Sequence, residues 1–417
     1  MDLSLLKNRL FQVFLAALAL RLGFLLLAPQ PAPVADALDY DTLAVNLYSG
    51  HGFSLNPDVP TPRRAPGYPF FLAAVYTVFG HSLLAARLLQ ALLGALTCLL
   101  AFRTAERLFG ERAGPVAGWL LALYPPLVVY TGLILSETLF TFLLAASILF
   151  WLDGVERKSF GHFALAGLSL GLATLTRPVT MVFPAALLLA AALRPGALRL
   201  WPVLLAAFLL VFAPWSFRNY RLWGTFKTAT TGTGYGFFVT GNMAAGVSFE
   251  ESHNAYSAKC AAHREPLTYK PGDPSPALQL ELELQAEGNR LFKANPAGFL
   301  KLALKRLPSF WLTSHSSVFG VDRSMQEYKA EGAWGRIAAR LGLLLLQAAL
   351  VWLALLGLWR ERARWRETAP LLLLLGLFTA HVLFDFVPRY HLPVIPQLLA
   401  FSAAGLLAVL DRRRARG

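Results

Sequence analysis

Two isolated acids and a set of arginines are the residues whose types and placement suit chemistry. The segment ADALDYDTLAVNLYSGHGF carries Asp36, Asp39 and Asp41 directly after an apolar run, and Glu137 stands in LILSETLF between apolar neighbours. Asp36 and Tyr40 are four residues apart and would share one face of a helix. A carboxylate beside a membrane cavity is placed to accept a proton from an incoming hydroxyl. Burial raises its pKa and nearby arginines lower it. Ser136 is positioned to cap a helix that starts at Glu137, near the positive end of the helix dipole. The arginines are Arg63 and Arg64 in TPRRAPGYPFFLA, Arg177 in LTRPVT, Arg218 in PWSFRNY and Arg389 in FVPRYHLP. A guanidinium is a rigid, permanently charged fork that matches phosphate oxygens. Asn219, Tyr390 and His391 add hydrogen-bonding groups. Taken singly, each residue also reads as a solvated loop charge or an ordinary membrane-edge residue. As a set they suit chemistry on an anionic substrate.

The elements that position these residues are apolar. The chain has 417 residues, 56% of them hydrophobic and 15% charged, with a mean hydropathy of +0.51. Repeated apolar segments of this kind exclude a single soluble core and predict an all-α polytopic membrane protein. The net charge of +14 does not point to nucleic acid. Its arginine clusters, such as Arg360, Arg362, Arg364 and Arg366, or Arg412, Arg413, Arg414 and Arg416, abut apolar runs. That is the pattern of positive-inside orientation and contact with anionic membrane lipids. The two cysteines, Cys98 in an apolar run and Cys260 in a polar loop, are expected at different depths and not to form a disulfide. The first apolar stretch, Phe11 to Ala28, lacks a small-residue cleavage site and reads as a retained span. Arg21 within it either snorkels or faces the protein interior.

Charge bookkeeping gives about ten spans with both termini cytoplasmic. They fall near residues 11–28, 83–103, 113–131, 135–152, 160–176, 179–193, 200–216, 339–358, 370–386 and 392–409. Basic links fall on alternate connections. The remaining connections, which carry the candidate site, then lie outside. In the first outer loop, 29–82, the apolar stretch Tyr68 to Phe79 is too short to cross a bilayer and reads as an interfacial or re-entrant helix. The long outer segment, 217–338, is expected to hold an exposed helix at Ala277 to Phe292. It also holds an amphipathic stretch at 297–312, where Leu300, Leu304 and Leu307 repeat beside Lys301 and Lys305. Three regions follow: an N-terminal spanning core at 1–216, an outer segment at 217–338 and C-terminal spans with a basic tail at 339–417.

The strings DALDYDTLA with GHGF, RRAPGYPFFLA, YPPLVVYTGLILSETLF, LTRP, PWSFRNYRLWGTF and PRYHLPVIP, in this order and topology, resemble bacterial membrane glycosyltransferases of the GT-C type. The group meant is the one related to protein O-mannosyltransferases and aminoarabinose transferases. The resemblance implies a GT-C-type helical core in a bacterial inner membrane and a sugar donor linked to polyprenyl phosphate. It implies a lipid, polysaccharide or protein acceptor, with the active site on the extracytoplasmic side. Asp36 matches the catalytic-base acid of the first outer loop, with Tyr40 and Ala44 on the motif's downstream positions. Ala37 stands where many relatives have a second acid. Glu137 matches the acid of the second outer loop. Arg389 matches the basic residue that approaches the lipid phosphate, and Arg63 or Arg64 a second basic donor-site residue. Arg218 is placed with this donor set, and Tyr40, Arg177, Asn219, Tyr390 and His391 support it. Transfer by direct displacement inverts the anomeric centre. No cofactor is required, and a divalent metal is compatible with the acids but not predicted. The competing expectations are a transporter or flippase of lipid-linked sugars and a noncatalytic envelope scaffold.

Overall fold

Apolar runs punctuated by proline, glycine and arginine-rich links fold as helices throughout the described residues. The computed structural model describes residues 3–415 apart from 195, 228–232, 265, 269, 271 and 386. Arg416 of the terminal basic cluster lies outside the described residues. In chain order the helices are α1 (Leu3–Leu27), α2 (Asp36–Tyr48), α3 (Gly67–Phe79), α4 (Leu83–Phe109), α5 (Ala113–Ala122), α6 (Pro125–Val129), α7 (Glu137–Arg157), α8 (Phe160–Thr176) and α9 (Phe183–Ala192). They continue with α10 (Trp201–Trp223), α11 (Thr233–Ala244), α12 (Phe249–Ala262), α13 (Pro276–Ala294), α14 (Pro296–Trp311), α15 (Met325–Ala330), α16 (Trp334–Arg360), α17 (Trp365–His381) and α18 (Ile395–Arg414). Among the described residues the only β pairing is an isolated bridge between Ser54 and Pro60.

This is an all-α polytopic membrane protein. Among the described residues six helices are long and apolar enough to cross a membrane, and a seventh span arises if α5 and the bent segment Pro125–Gly132 count as one. The bend of 58° falls where Pro125 and Pro126 remove two backbone donors. A count of ten is not reached by this measure. Helices do form at 160–176, 183–192 and 365–381, but each has fewer than 18 residues. α10 runs to Trp223 and α16 starts at Trp334, so both helices extend beyond the expected spans at 200–216 and 339–358.

α4 lies at the centre of the bundle and packs against α1, α5, α7 and α18; α7, α8 and α10 form a row on one side, and α16 pairs with α18 on the other. The α16–α18 pair is close because Gly357 and Gly405 face each other. A Cβ on Gly405 would sit 1.9 Å from the Leu353 carbonyl oxygen. Small residues bring helix backbones together in this way in membranes, where lipid supplies no hydrophobic drive between helices. Arg21 faces the interior. It is 1% exposed, donates to the Ala17 carbonyl and fills the space beside Gly94. Cys98 and Cys260 are both free.

The bundle has two chemically distinct ends. At one, Arg107 of α4 pairs with Asp153 and Glu156 of α7, and Asp411 of α18 pairs with Arg112 and Arg360. At the other, α3, which packs against α2, covers the end of α8, and α11 to α14 form a helical cap beside the loop that precedes α18. α13 is amphipathic rather than exposed all round: Leu278, Glu281, Leu284 and Gly288 are buried, and α13 packs on α11. On α14, Leu300 and Leu304 point outward beside exposed Lys301 and Lys305.

Candidate active site

Proline sets the backbone that carries each charged group. Pro31 and Pro33 keep the chain extended until α2 starts, and Asp36 is the first residue of that helix. Ala35 just before it has φ 50° and ψ −120°, a sparsely populated conformation for a residue with a side chain, held by its surroundings. Glu137 is likewise the first residue of α7. Both carboxylates therefore lie at the positive ends of helix dipoles. Arg64 sits between Pro62 and Pro66. Pro178 pushes Arg177 out of the helical region, to φ −145° and ψ 115°, which ends α8 and leaves Arg177 at its negative end. Arg389 follows Pro388 at the start of the 3-10 turn before α18.

These five groups and two neighbours form one continuous chain of ion pairs. Asp36 Oδ1 accepts from an Arg64 terminal nitrogen at 2.7 Å, and Asp36 Oδ2 from Arg389 at 2.5 Å. Arg64 also grips Asp39 through Nε at 2.9 Å and a terminal nitrogen at 2.7 Å, and Arg63 lies 3.3 Å from the same carboxylate. Beyond Arg389 the chain continues to Glu137 Oε1, 3.6 Å from Arg389 Nε and 2.6 Å from Arg177. Four arginines face three carboxylates, so the cluster keeps one positive charge in excess. Glu137 is fully buried. Neither of its oxygens has a well-formed hydrogen bond among the described residues.

Burial pushes the pKa of Asp36 up, but the charges and hydrogen bonds of Arg64 and Arg389 outweigh it and hold the carboxyl at about 2. The guanidiniums are themselves held on rings. Arg64 lies over Tyr40 at 5.5 Å, and Arg177 lies between Phe140 and Tyr390 at 5.9 and 5.6 Å. Tyr40 and Tyr390 thus support the arginines. His391 is buried and pairs with His315 at 3.1 Å, which ties the Arg389 turn to the segment after α14.

Ser136 makes no side-chain cap on α7, contrary to the expectation from its position. Its hydroxyl instead accepts from Arg177 Nε at 2.9 Å. Arg218 and Asn219 lie elsewhere. Arg218 stacks on Trp215 and donates to Asn219 Oδ1, in a cavity whose lining includes none of the seven charged residues above. Two contributors, Arg87 and Gln90, escape the sequence reading, which singles out the three acids of the first outer loop without separating Asp39 from Asp41. Asp39 shares the Arg64 face of α2 because it is three residues from Asp36, whereas Asp41 lies on another face and is bound by Tyr76 and His81. Arg87 donates to the carbonyls of Gly132 and Pro31, and Gln90 donates to those of Thr131 and Leu133. Together they fix the loop that delivers Glu137. Polar side chains at i and i+3 inside the apolar run LLAARLLQALLG were the available signal. Among the described residues no three His, Cys, Asp or Glu side chains gather into a metal-binding group. The site acids face arginines, a donor set that does not suit a cation.

Residues 62–217, which include Arg63, Arg64, Glu137 and Arg177, match the family model described as dolichyl-phosphate-mannose-protein mannosyltransferase. No curated protein matches the chain significantly in sequence. The chain superposes on the oligosaccharyltransferase of Archaeoglobus fulgidus tethered to an acceptor peptide, with a TM-score of 0.58 and 13% identity over 99% of this chain and 50% of that one. Against the same protein, AglB, in complex with an inhibitory peptide and a dolichol-phosphate, the TM-score is 0.55 at 14% identity, over 98% and 50%. ArnT from Cupriavidus metallidurans bound to undecaprenyl phosphate superposes more loosely, at 0.41 and 17% identity over 97% and 78%. The chain spans about half the length of the archaeal enzyme. At these identities the likeness is one of architecture, and the chain has the GT-C fold of polytopic membrane proteins.

Proposed function

We propose that the protein is a glycosyltransferase that moves a sugar from a polyprenyl-phosphate-linked donor to an acceptor hydroxyl on the extracytoplasmic face of a bacterial inner membrane. One observation carries the reading: a carboxylate at the helix-capped end of the bundle has each oxygen bound by a different arginine, Arg64 and Arg389. The match over residues 62–217 and the fold shared with an enzyme solved with dolichol-phosphate support it.

The donor phosphate competes with Asp36 for the same two guanidiniums. As its oxygens take up those N–H groups, Asp36 loses the partners that depress its pKa and becomes a proton acceptor. The acceptor hydroxyl gives its proton to Asp36, and its oxygen bonds to the anomeric carbon. The bond from that carbon to the phosphate oxygen breaks, and its electron pair goes to the phosphate. Arg389 and Arg64 stabilise the charge that develops there. Attack opposite the leaving group inverts the anomeric centre. Glu137 keeps Arg389 and Arg177 aligned, and its oxygens retain capacity for a sugar hydroxyl.

The test uses purified protein, polyprenyl phosphate bearing a labelled sugar, and a panel of lipid, glycan and peptide acceptors. Wild type forms a glycoside and releases polyprenyl phosphate. Asp36→Asn, at equal folded amounts, lowers turnover by about 10²–10⁴. Arg389→Lys keeps the charge, loses the fork and weakens donor binding. Movement of the lipid-linked sugar across vesicles with no glycosidic product would mean a flippase instead.

A further inference from the structure

The cavity beside Arg218, of about 530 Å³, opens where the last turns of α10 meet the outer loop at residues 51–60. Arg218 and Arg221 line it from the same helix face, three residues apart. One turn toward the bundle lie Pro214 and Phe217, which also line it. A further turn on, Leu210 is 71% exposed on a helix apolar enough to cross a membrane. The face thus runs from a lipid-exposed leucine, through a proline and an aromatic ring, to two cations.

Depth is marked by the rings around those cations. Tyr220 stacks on Phe226 at 4.5 Å, and Trp215 and Trp223 lie 4.4 and 5.3 Å from the Arg218 guanidinium. Tyrosine and tryptophan gather at headgroup level in membranes. Rings lie against the Arg218 guanidinium, and one of its terminal nitrogens donates to Asn219. Arg221 is exposed. The acid on the opposite wall, Asp58, is engaged by His51, whose Nδ1 lies 3.2 Å from both carboxylate oxygens.

We infer that this cavity binds the phosphate headgroup of a membrane lipid, with the tail lying along Phe217 and Leu210. The two arginines supply the charge-assisted contacts that phosphate requires. The apolar stripe below them suits an alkyl or prenyl chain, which a soluble phosphate compound lacks.

The experiment is native mass spectrometry of the full chain released from phosphatidylcholine nanodiscs doped with either undecaprenyl phosphate or phosphatidylglycerol. Wild type retains one copy of a phosphate-monoester or anionic lipid that Arg218→Gln/Arg221→Gln loses, with affinity lower by about tenfold or more. Leu222→Trp, which fills the cavity and keeps both arginines, has the same effect and guards against misfolding of the double variant. Retention of undecaprenyl phosphate assigns the site to a polyprenyl lipid, and retention of phosphatidylglycerol assigns it to a bulk anionic lipid. Equal retention by wild type and both variants overturns the inference, as does wild-type retention of phosphatidylcholine equal to that of the doped lipid.

Discussion

Arg64 and Arg389 contact the two oxygens of Asp36, one each, and this pairing governs how the residue titrates. With a pKa of about 2 against an ordinary 3.8, the ion pairs stabilise the folded chain above the ordinary value. That contribution is lost as pH falls through 2. The same pairing makes Asp36 a weak base until a phosphate displaces it. A consequence follows for kinetics. The acid limb of kcat/KM reports the free enzyme, and that of kcat reports the donor-loaded enzyme. The kcat limb should therefore lie at higher pH than the kcat/KM limb, by about one unit or more given the size of ion-pair effects on carboxylates. Full pH profiles with saturating and limiting donor measure both. Coincident limbs would remove the idea that donor phosphate frees the carboxylate.

At the scale of elements, the site depends on how closely α3 approaches the end of α8. Gly67 starts α3, and a Cβ there would lie 2.5 Å from Thr176 Oγ1 and 2.8 Å from the Thr176 backbone nitrogen. Backbone cannot yield as a side chain can. Thr176 precedes Arg177, and Gly67 follows Arg64 by three residues, so one methyl group wedges apart the two segments that carry these arginines. Gly67→Ala should cost about 1–3 kcal/mol of stability, as overpacking does, and should lower kcat/KM although no charge has changed. Thermal unfolding and donor turnover check this, and an unchanged variant would show that the contact gives way easily. This dependence also marks what the sequence could disclose. Apolar runs and proline breaks located α2, α3, α7, α8 and the turn before α18, along with the acids and arginines they carry. The pairing of Arg389 with Asp36, 353 residues apart, is a property of packing and leaves no local pattern. The same holds for Ser136, whose sequence position suits a cap and whose fold partner is Arg177. Arg218 shows the same limit: its residue type and side of the bundle place it with the other arginines, but α10 turns it toward Phe53 and Trp215, outside the ion-pair chain of Asp36.

Over the whole molecule, charge is divided between the two ends of the bundle. One end collects the C-termini of α4, α7, α16 and α18, with Arg107, Arg112 and Arg360 tied to Asp153, Glu156 and Asp411. The three-arginine run closing α18 lies there too. The ion-pair chain and the cap of α11 to α14 occupy the other end. On the positive-inside rule we propose that the arginine-rich end is cytoplasmic and that the cap and the site face outward. The two cysteines report on this without any substitution. Cys98 is fully buried in α4, while Cys260, near the end of α12 in the cap, is partly exposed. A membrane-impermeant maleimide added to intact spheroplasts should modify one cysteine, Cys260, before any detergent is present. Inverted vesicles should require permeabilisation for the same adduct, identified by peptide mass spectrometry. Labelling in inverted vesicles and protection in spheroplasts would put the ion-pair chain on the cytoplasmic face, where a donor presented from outside could not reach Arg64 and Arg389.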